Sequence, residues 1–529
     1  MSASELTVSG GGNPGTIVVH SKRRWAELFL LILAWGLGYS GYLLTGINTT
    51  GEIPPDWKVI GGSWLGLILA CHIIVRIFIP YADPMMLPIV FALNGLGLAM
   101  IHRIDLGTTP IAHRMAGQAI WTLGGVVLWA VIVIGLKDHR KLQRFPYILF
   151  LAGLVLMLMP LAPGIGRSIN GARLWIGVGP FSFQPAELAK VLLVMAFASY
   201  LVDKRDVLSL AGHRIGPLIL PRARDLGPLL VMWGAAMAII VWQNDLGTAL
   251  LFFGLFVAML YIATERAGWV VVGVVLFGVA AVAAYKMFGH VQNRVSGWLN
   301  PFGDYDTNYQ LIIGQYGMAW GGLSGRGWGL GRPNLTPLAF SDYISASIGE
   351  ELGVTGLMAV ILLYALLVAR GMRSALSCRD SFGKLLAAGL AFVFGLQVFA
   401  IIGGVTRLLP LTGLTTPFMS QGGSSEVANW ALVAILMLVS HQARRPADEL
   451  AANQGDNPPL MESETGSARH ALGGSGSPGS PRSAGSAGSP RTARSAGSPG
   501  SASWSPAADH GRPDGVPHLD ERTGAGDRR

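Results

Sequence analysis

Charged side chains are scarce in this sequence. Only 13% of its 529 residues are Asp, Glu, Lys or Arg, whereas 51% are hydrophobic. Soluble globular proteins carry roughly 25% charged residues, so the composition excludes an ordinary soluble domain and predicts a polytopic membrane protein. Cysteine is almost absent as well. The two cysteines, Cys71 and Cys378, lie far apart within or beside apolar segments, which excludes a disulfide framework and predicts free thiols.

The sequence instead contains many long apolar runs. A helix that crosses a bilayer needs about 20 predominantly apolar residues. The runs that meet or approach this length are 25–44, 59–79, 84–101, 116–136, 144–162, 185–203, 225–243, 245–263, 268–288, 347–369, 384–405 and 422–441. They predict an all-α polytopic integral membrane protein with about twelve transmembrane helices.

The basic residues predict the orientation of these helices. The net charge of +9 on its own would suggest nucleic acid, but Lys and Arg cluster in short connections, at 22–24, 137–144, 204–224 and 370–384. Cytoplasmic connections of membrane proteins carry such an excess. An even number of spans puts all four clusters and both termini in the cytoplasm, and no nucleic-acid partner is predicted. The first run lacks a small-residue cleavage site and is predicted to be a retained anchor.

The connections on the opposite side, 163–184, 289–346 and 406–421, carry few basic residues. The longest contains WLNPFGDYDTNYQ at 298–310, where Asp304 and Asp306 stand among aromatic residues, Pro and Gly. Loops of this length are usually functional or disordered, and the aromatic residues argue against disorder. The segment 446–529 differs, because it repeats Ser, Ala, Gly and Pro with almost no apolar residues. It is predicted to be a disordered cytoplasmic tail.

Ionisable residues at the ends of apolar runs are candidates for function, because charge inside a bilayer is costly. Glu187 and Lys190, in FQPAELAK, are three residues apart on one helix face and close enough to pair. They form either an interfacial ion pair that anchors the helix or a polar pocket near the outer membrane surface. Asp245, in WQNDLGTALL, is predicted to cap the following helix. Glu350 and Glu351 are expected at the start of another span.

A further polar segment precedes the last span. It begins at Arg407 and ends in SQGGSSE, whose residues Ser424 and Ser425 offer hydroxyls near a helix start. Backbone N–H groups at such a start suit an anion. Small residues also permit tight helix packing, so this pattern alone leaves both interpretations open.

The order of these motifs resembles one family. FQPAELAK, QNDLGTA, GEELG at 349–353, LTGLTTPF and SQGGSS are similar, in this order, to motifs of the SEDS proteins of shape, elongation, division and sporulation. The resemblance covers residues 84–441 and implies a ten-helix core at 84–445. A cytoplasmic tail at 1–24 and two additional helices at 25–83 precede this core. The additional helices resemble the elongation branch of the family, with the division branch as the alternative.

The resemblance implies a peptidoglycan glycosyltransferase at the outer face of the cytoplasmic membrane. SEDS proteins polymerise lipid II, an undecaprenyl-diphosphate-linked disaccharide peptide, and a class B penicillin-binding protein is their partner. The family's catalytic aspartate ends an (N/D)-P-x-x-D pattern, which Asn300-Pro-Phe-Gly-Asp304 matches. Asp306 has no counterpart, and the segment up to Gln310 is one residue shorter than usual. The resemblance also carries over to Trp175, Glu187, Lys190 and Asp342 as residues near the site.

The sequence departs from the family pattern at three places. Asn244 stands where Pro is common before DLGT, and Gln421 stands where Tyr is common before GGSS. Phe340 and Ser341 replace the usual His and Thr before an aspartate. These departures concern the detail of the pocket rather than the activity.

The implied reaction assigns roles to these residues. A sugar hydroxyl displaces polyprenyl diphosphate from an anomeric carbon with inversion, and Asp304 is predicted to take the hydroxyl proton. The leaving diphosphate needs cations or aligned donors. The predicted substrate-binding residues are Trp175, Glu187, Lys190, Arg294, Asp342, Arg407, Ser424 and Ser425, with Arg173 and Arg332 as further cations. Lys190 and Arg407 are the first choices.

No resident metal or cofactor is predicted, because the sequence has no His, Cys or Asp cluster with the spacing of a structural metal site. A divalent cation, Mg²⁺ or Mn²⁺, bound with the lipid diphosphate is an alternative source of positive charge. Two other classes of protein stay open, a lipid II flippase or other transporter and a scaffold that only positions the penicillin-binding protein. The polar residues gather on one side and no inverted repeat is obvious, which favours the enzyme.

Overall fold

The computed structural model describes residues 22–446 except 170–171, 179–180, 206–211, 216–217 and 222. The tails predicted at 1–24 and 446–529 therefore lie almost entirely outside the described residues. The α-helices are α1 Arg24–Thr50, α2 Trp57–Phe78, α3 Met86–Leu106, α4 Arg114–Leu136, α5 Pro146–Leu158, α6 Pro185–Asp203, α7 Ala223–Trp242, α8 Leu246–Thr264, α9 Gly268–Met287, α10 Gly289–Leu299, α11 Tyr309–Gly321, α12 Ile344–Glu351, α13 Gly353–Ser377, α14 Ser381–Val405 and α15 Gly423–Arg444.

The helical membrane domain is confirmed. Within the described ranges, ten helices are long and apolar enough to cross a bilayer, and two shorter apolar helices occupy Pro146–Leu161 and Gly227–Trp242. Each of the twelve predicted runs therefore corresponds to a helix, with the fifth and the seventh as the two short ones. α3, α6, α14 and α15 are largely buried and form the centre, whereas most of α9 is exposed. An apolar helix with so little protein contact is suited to face lipid.

One helix boundary differs from the prediction. The expected span 347–369 starts only at Gly353, because Leu352 separates α13 from the short helix α12, and Gly353, the first residue of α13, has a left-handed φ of 70°. Glu350 and Glu351 consequently end α12 instead of starting the span. Their carboxylates accept backbone N–H groups, Glu351 from Gly329 (2.8 Å) and Glu350 from Arg332 (2.5 Å). The expectation that these two residues start the span was wrong, and both carboxylates instead brace the preceding loop.

Two small antiparallel sheets were not predicted. In the first, β1 Gly166–Ile169, β2 Ala172–Val178 and β3 Phe181–Phe183 pair in chain order. In the second, β4 Gly212–Ile215 pairs with β5 Leu218–Pro221. Both lie in connections between apolar helices, so hydropathy gives no signal for them. The first sheet leads directly into α6, whose Pro185 occupies the first turn, where a missing N–H is tolerated.

The helix ends define two faces of the structure. On the basic face, connections that were predicted to share a side contact each other, through Gln143 with Asp203, Arg205 with Glu265, and Gln442 with Lys137. On the opposite side, which we call the loop face, equivalent contacts join Asn48 to Trp328, Gln184 to Ser424, and Trp298 to Arg407. The basic clusters and the long loop therefore lie on opposite faces.

The two N-terminal helices pack against the core through close contacts. Gly38 of α1 faces Gly95 of α3, where a Cβ on Gly38 would lie 2.7 Å from Gly95 Cα. Small residues permit this approach of two helix backbones. At the basic end of α1, Arg24 pairs with Glu27, and His72 Nδ1 of α2 lies 3.5 Å from the Glu27 carboxylate. Buried polar contacts thus connect α1 and α2.

Candidate active site

The segment that carries Asp304 is held in shape by hydrogen bonds within the loop. A 3-10 turn at Pro301–Gly303 follows α10, and Asn308 Nδ2 donates to the Pro301 carbonyl (3.0 Å). The Asp304 carboxylate accepts hydrogen bonds from the Thr307 hydroxyl (2.6 Å) and from the Thr307 N–H (3.1 Å). These bonds favour the charged carboxylate and lower the pKa of Asp304 below its ordinary value. Asp304 is thus an exposed, ionised carboxylate with a fixed orientation.

Asp306 has a different environment in the same loop. Its side chain is exposed, and within the described residues no hydrogen bond or ion pair holds its carboxylate. Its backbone carbonyl accepts from the Tyr309 N–H (3.5 Å) at the start of α11. The geometry therefore separates the two aspartates, since only the Asp304 carboxylate is oriented.

A cavity of about 120 Å³ opens beside this segment and is lined by Arg294, Trp298, Thr307, Asn308, Arg407 and neighbouring residues. Trp298 and Arg407 are joined by reciprocal hydrogen bonds. Trp298 Nε1 donates to the Arg407 carbonyl (3.1 Å), and Arg407 Nη2 donates to the Trp298 carbonyl (3.1 Å). The Arg407 Nε is buried and, among the described residues, has no hydrogen-bond partner. Arg407 therefore contributes a fixed positive charge to the wall of the cavity.

Arg294 and Asp342 approach each other across Gly413. Arg294 Nη1 donates to the Thr412 carbonyl (3.0 Å). Arg294 Nη2 lies 3.2 Å, and Asp342 Oδ2 3.9 Å, from the point where a Gly413 side chain would begin. Burial raises the pKa of Asp342 from its ordinary value, whereas the Ser341 hydroxyl, which donates to Asp342 (2.8 Å), and the positive charge of Arg294 act in the opposite direction. Two of the predicted substrate-binding residues therefore share one site.

The predicted pairing of Glu187 with Lys190 is confirmed. Both side chains are buried near the start of α6, and Lys190 Nζ donates to Glu187 Oε2 (2.9 Å) and to Gln397 Oε1 (2.6 Å). Gln397 Nε2 in turn donates to the Thr415 carbonyl (3.1 Å). This network connects α6 and α14 to the connection before α15. Lys190 is engaged by protein groups, and its part in binding substrate stays a prediction.

The capping role of Asp245 is also confirmed. Its carboxylate accepts from the Thr248 N–H (3.0 Å) and from the Thr248 hydroxyl (2.7 Å) at the start of α8. Gln184 Nε2 lies 3.4 Å from the same carboxylate. The charges of Glu187 and Arg294 both act on Asp245, so this cap lies between the α6 network and the arginine of the cavity.

The serines before the last span have partners in the protein. Ser424 Oγ accepts from the Gln184 N–H (2.6 Å), and Ser425 Oγ accepts from Asn429 Nδ2 (3.1 Å). The Gly422 N–H donates to Gln118 Oε1 (3.0 Å). In both bonds the serine oxygen is the acceptor, so each hydroxyl can still donate to an anion, and the predicted contact of these two serines with substrate stays a prediction.

Three predicted residues lie apart from the cavity. Trp175 is half-buried in β2, and Arg173 on the same strand is exposed. Arg332 is exposed in the loop that Glu350 braces. Within the described part of the chain, no hydrogen bond or ring contact joins them to Arg294 or Arg407.

An apolar groove lies close to the polar cavity. It is a shallow, open groove lined by Trp233, Met237, Val241 and Trp242 of α7 together with Asn244 and Phe288. Phe288 directly precedes α10, the helix that carries Arg294. The groove and the cavity are therefore neighbours on the loop face, one apolar and one cationic.

The described residues do not assemble a divalent-metal site at this cavity. Their one cluster of three potential ligands from His, Cys, Asp and Glu lies on the basic face. A divalent ion at the loop face would consequently be held mainly by the diphosphate that carries it, so Mg²⁺ or Mn²⁺ would belong to the substrate.

Sequence reasoning missed several residues that shape the site. Thr307 orients Asp304, Trp298 fixes Arg407, and Gln397 joins Lys190 to α14. The spacing of Asp304 and Thr307 is a signal that was available, because an aspartate often binds the backbone a few residues ahead of it in a turn. Trp298 and Gln397 depend on contacts across more than 100 residues, for which a single sequence gives no signal.

The fold and the site define a multi-pass membrane protein with an oriented carboxylate, Asp304, in a loop whose Thr307 lines a cavity together with two arginines. Residues 84–445 match the family described as cell cycle protein, the family of FtsW, RodA and SpoVE. The chain belongs to this SEDS family.

Relatives and solved structures agree with this assignment. The peptidoglycan glycosyltransferase RodA of Mycobacterium tuberculosis is 47% identical over 430 residues, which are 80% of this chain and 92% of the relative. A probable peptidoglycan glycosyltransferase FtsW of Geobacter metallireducens is 32% identical over 68% of this chain and 94% of its own length. A chain of a peptidoglycan synthase complex that coordinates polymerization and crosslinking aligns with a TM-score of 0.56 at 25% identity, over 69% of this chain and 99% of its own length.

Proposed function

We propose that this protein is a peptidoglycan glycosyltransferase of the elongation type, which polymerises lipid II at the outer face of the cytoplasmic membrane. Membership of the SEDS family supports this function, and so do the names of the relatives. The mycobacterial relatives at 44–47% identity are named RodA, whereas the FtsW relatives are 31–32% identical. The loop face would be outside and the basic face cytoplasmic, because the Lys and Arg clusters lie on the latter.

The geometry of the Asp304 loop supports the chemistry most directly. In the proposed reaction, an acceptor sugar hydroxyl attacks the anomeric carbon of a lipid-linked donor, and the bond from that carbon to the diphosphate oxygen breaks with inversion. The hydroxyl proton passes to the Asp304 carboxylate, which is ionised and oriented by Thr307. A carboxylic acid acts as a general base only when it is ionised and directed at the proton, and Asp304 is ionised and held in one orientation by Thr307.

The leaving diphosphate gains negative charge as the glycosidic bond forms. Arg407 and Arg294 line the neighbouring cavity, and the hydrogen bond from Arg407 Nη2 to the Trp298 carbonyl holds the Arg407 guanidinium in place. Fixed donors at the site where charge develops stabilise a transition state more than mobile donors do. We assign the diphosphate to these two arginines, and Asp342 to the orientation of Arg294.

The apolar groove beside α7 and Phe288 is the proposed site of a polyprenyl chain. Its wall is formed largely by Trp, Met and Val side chains, and it lies next to the helix that carries Arg294. A lipid tail in this groove would keep its hydrocarbon out of water while the diphosphate reaches the arginines. A class B penicillin-binding protein is the proposed partner, since the matched solved chain comes from a complex of polymerisation and crosslinking.

The deciding experiment measures polymerisation of purified lipid II by wild type, Asp304→Ala and Asp306→Ala, each with and without a class B penicillin-binding protein. The Asp306 variant is the matched control, because it lies two residues away in the same exposed loop. We expect glycan strands from wild type and from Asp306→Ala. Asp304→Ala should lose about 10²- to 10⁴-fold in rate, as expected when a general base is removed.

The other outcomes point to different functions or residues. Loss of activity in Asp306→Ala alone would move the base by two residues. A wild-type protein that makes no polymer with its partner, but moves labelled lipid II across vesicle membranes, would replace the enzyme with a transporter. Size-exclusion profiles of all three proteins establish that a loss of activity is not a loss of folding.

A further inference from the structure

Three potential metal ligands meet on the basic face, opposite the proposed active site. His139 follows α4, whereas Cys378 and Asp380 lie between α13 and α14. His139 Nε2 is 3.2 Å from Asp380 Oδ2, and Cys378 Sγ is 3.2 Å from Asp380 Oδ1. One ligand atom from each residue lies within 4.8 Å of the other two. Atoms bound to one ion about 2.0–2.3 Å away lie within about 4.6 Å of one another, so the three ligand atoms are close to the separation that one ion requires.

The three ligand atoms converge on one point beside Gly383. A Cβ on Gly383 would lie 2.5 Å from Cys378 Sγ, 2.6 Å from His139 Nε2 and 2.9 Å from Asp380 Oδ2. Glycine alone leaves this volume free of side-chain atoms. His139 and Cys378 are buried and Asp380 is partly exposed, so the cluster is enclosed on one side and reachable from the other.

The second nitrogen of His139 supports a metal-bound state. Nδ1 is buried without a hydrogen-bond partner among the described residues, and the nearest carboxylate oxygen, Asp138 Oδ1, is 3.9 Å away. A histidine that binds metal through Nε2 carries its proton on Nδ1 and commonly directs it toward a carboxylate. Charge balance is also favourable, because a Cys378 thiolate, Asp380 and Asp138 would face one divalent ion and Arg140, whose Nε lies 3.5 Å from Asp380 Oδ1.

We propose that His139, Cys378 and Asp380 bind a zinc ion, or another divalent transition metal that prefers the same ligand types, on the basic face. A thiolate, an imidazole and a carboxylate are ligands that Zn²⁺ takes in tetrahedral sites, with water in the remaining position. Binding would replace the Cys378 S–H proton, which passes to solvent, and would free His139 Nε2 from its contact with Asp380. The ion would cross-link the α4–α5 connection, which contains His139, to the α13–α14 connection, which contains Cys378 and Asp380. This site goes beyond the proposed glycosyltransferase function and does not depend on it.

The alternative is a cluster held by hydrogen bonds alone. Asp380 caps α14 by accepting from the Gly383 N–H (2.6 Å), and it also accepts from Cys378. A hydrogen bond from His139 Nε2 to Asp380 would complete such a network without any metal. The two states differ in metal content and in the spectroscopy of the thiol, so they can be separated without an activity assay.

The experiment uses the full-length protein purified in detergent without a polyhistidine tag and dialysed against buffered Zn²⁺. Zinc is then quantified by mass spectrometry in wild type, Cys378→Ser, Asp380→Asn and Cys71→Ser. Cys71 is the matched control, because it is the other buried free cysteine in the described residues. We expect equimolar zinc in wild type and Cys71→Ser, and loss of zinc from Cys378→Ser and Asp380→Asn.

Cobalt substitution gives a second measurement of the same site. With Co²⁺, wild type and Cys71→Ser should show the thiolate-to-cobalt charge-transfer band, and Cys378→Ser should lack it. Far-ultraviolet circular dichroism and size-exclusion profiles establish that the variants are folded. The proposal is overturned if wild type retains no stoichiometric metal, or if Cys378→Ser keeps both the zinc and the cobalt band. Neither result bears on lipid II polymerisation.

Discussion

The Thr307 hydroxyl donates to the Asp304 carboxylate at 2.6 Å, and the Thr307 N–H donates to the same carboxylate at 3.1 Å. One residue therefore both orients Asp304 and stabilises its charged form. Thr307 also lines the cavity that contains Arg294 and Arg407. Thr307 therefore contacts the proposed base and also lines the proposed diphosphate site.

Thr307→Val is predicted to change how the activity depends on pH. The substitution removes the hydroxyl donor, so the pKa of Asp304 should rise toward its ordinary value. Asp304 would then be protonated at a higher pH, and the acidic limb of the pH–rate profile should move to higher pH. Near neutral pH Asp304 is ionised in both proteins. Any decrease in the rate of glycan formation there should therefore be smaller than about 10²-fold, the decrease that a misplaced catalytic group causes. Initial rates of glycan formation across the acidic range measure both effects.

Thr307→Ser is the control for this prediction, because it keeps a hydroxyl at the same position. Its acidic limb should coincide with that of wild type. An acidic limb that stays in place in Thr307→Val, in an enzyme that still requires Asp304, would show that the Thr307 hydroxyl does not set the pKa of the base.

Arg407→Lys is predicted to lower kcat although it preserves the charge. Lysine carries its charge on a single nitrogen, so it cannot both keep the bond to the Trp298 carbonyl and spread further N–H donors along the cavity wall as the guanidinium does. Loss of one transition-state donor typically costs about 10²- to 10³-fold in kcat, and we expect a loss in the lower part of that range.

Arg326→Lys provides the comparison for Arg407. Arg326 also lies on the loop face and donates to a tryptophan carbonyl, that of Trp320 (2.9 Å), but it is exposed and does not line the cavity. The kcat of this variant, measured by lipid II polymerisation, should be close to that of wild type. Equal losses in Arg326→Lys and Arg407→Lys would mean that the effect comes from loop folding rather than from the diphosphate.

Lys190→Met is predicted to destabilise the protein strongly. It leaves the buried Glu187 carboxylate without its partner, and removing one member of a buried ion pair costs about 3–5 kcal/mol. The double variant Glu187→Gln with Lys190→Met should recover much of the loss, because neither charge is then left unpaired. Thermal unfolding in detergent measures stability, and lipid II polymerisation by the folded double variant tests the predicted role in substrate binding. A double variant less stable than Lys190→Met would contradict the pairing argument.

The helices could be predicted from the sequence because a bilayer imposes a simple rule. Each of the twelve apolar runs corresponds to a helix, and the described residues of the basic connections contact one another on one face. The break at Leu352 and Gly353 was missed, since the apolar run continues across it. The small sheet at β1–β3 was missed because its strands lie in a connection, where neither length nor hydropathy constrains the backbone.

Contacts of the site between residues close in sequence could be predicted, whereas contacts between residues far apart in sequence could not. Glu187 with Lys190 and Asp245 with Thr248 follow from helix spacing and capping. The pairs of Trp298 with Arg407 and of His139 with Asp380 are separated by 109 and 241 positions. Spacing alone therefore gave no metal prediction, although folding brings three ligand types together.

Asn244→Pro is predicted to destabilise this protein although proline is common at this position in the family. Asn244 has a left-handed φ of 60°, which proline cannot adopt because its ring fixes φ near −65°. Its N–H also donates to the Val241 carbonyl (3.1 Å), a bond that proline would remove. The free energy of unfolding should fall by more than about 1 kcal/mol.

Asn244→Gly is the matched control, because glycine accepts positive φ and keeps the N–H. Thermal unfolding in detergent should show a lower Tm for the proline variant and a Tm close to wild type for the glycine variant. A proline variant as stable as wild type would mean that the turn between α7 and α8 can adopt a second backbone conformation. The lower Tm would instead explain why this chain keeps asparagine, since the turn that presents Asp245 as the cap of α8 depends on it.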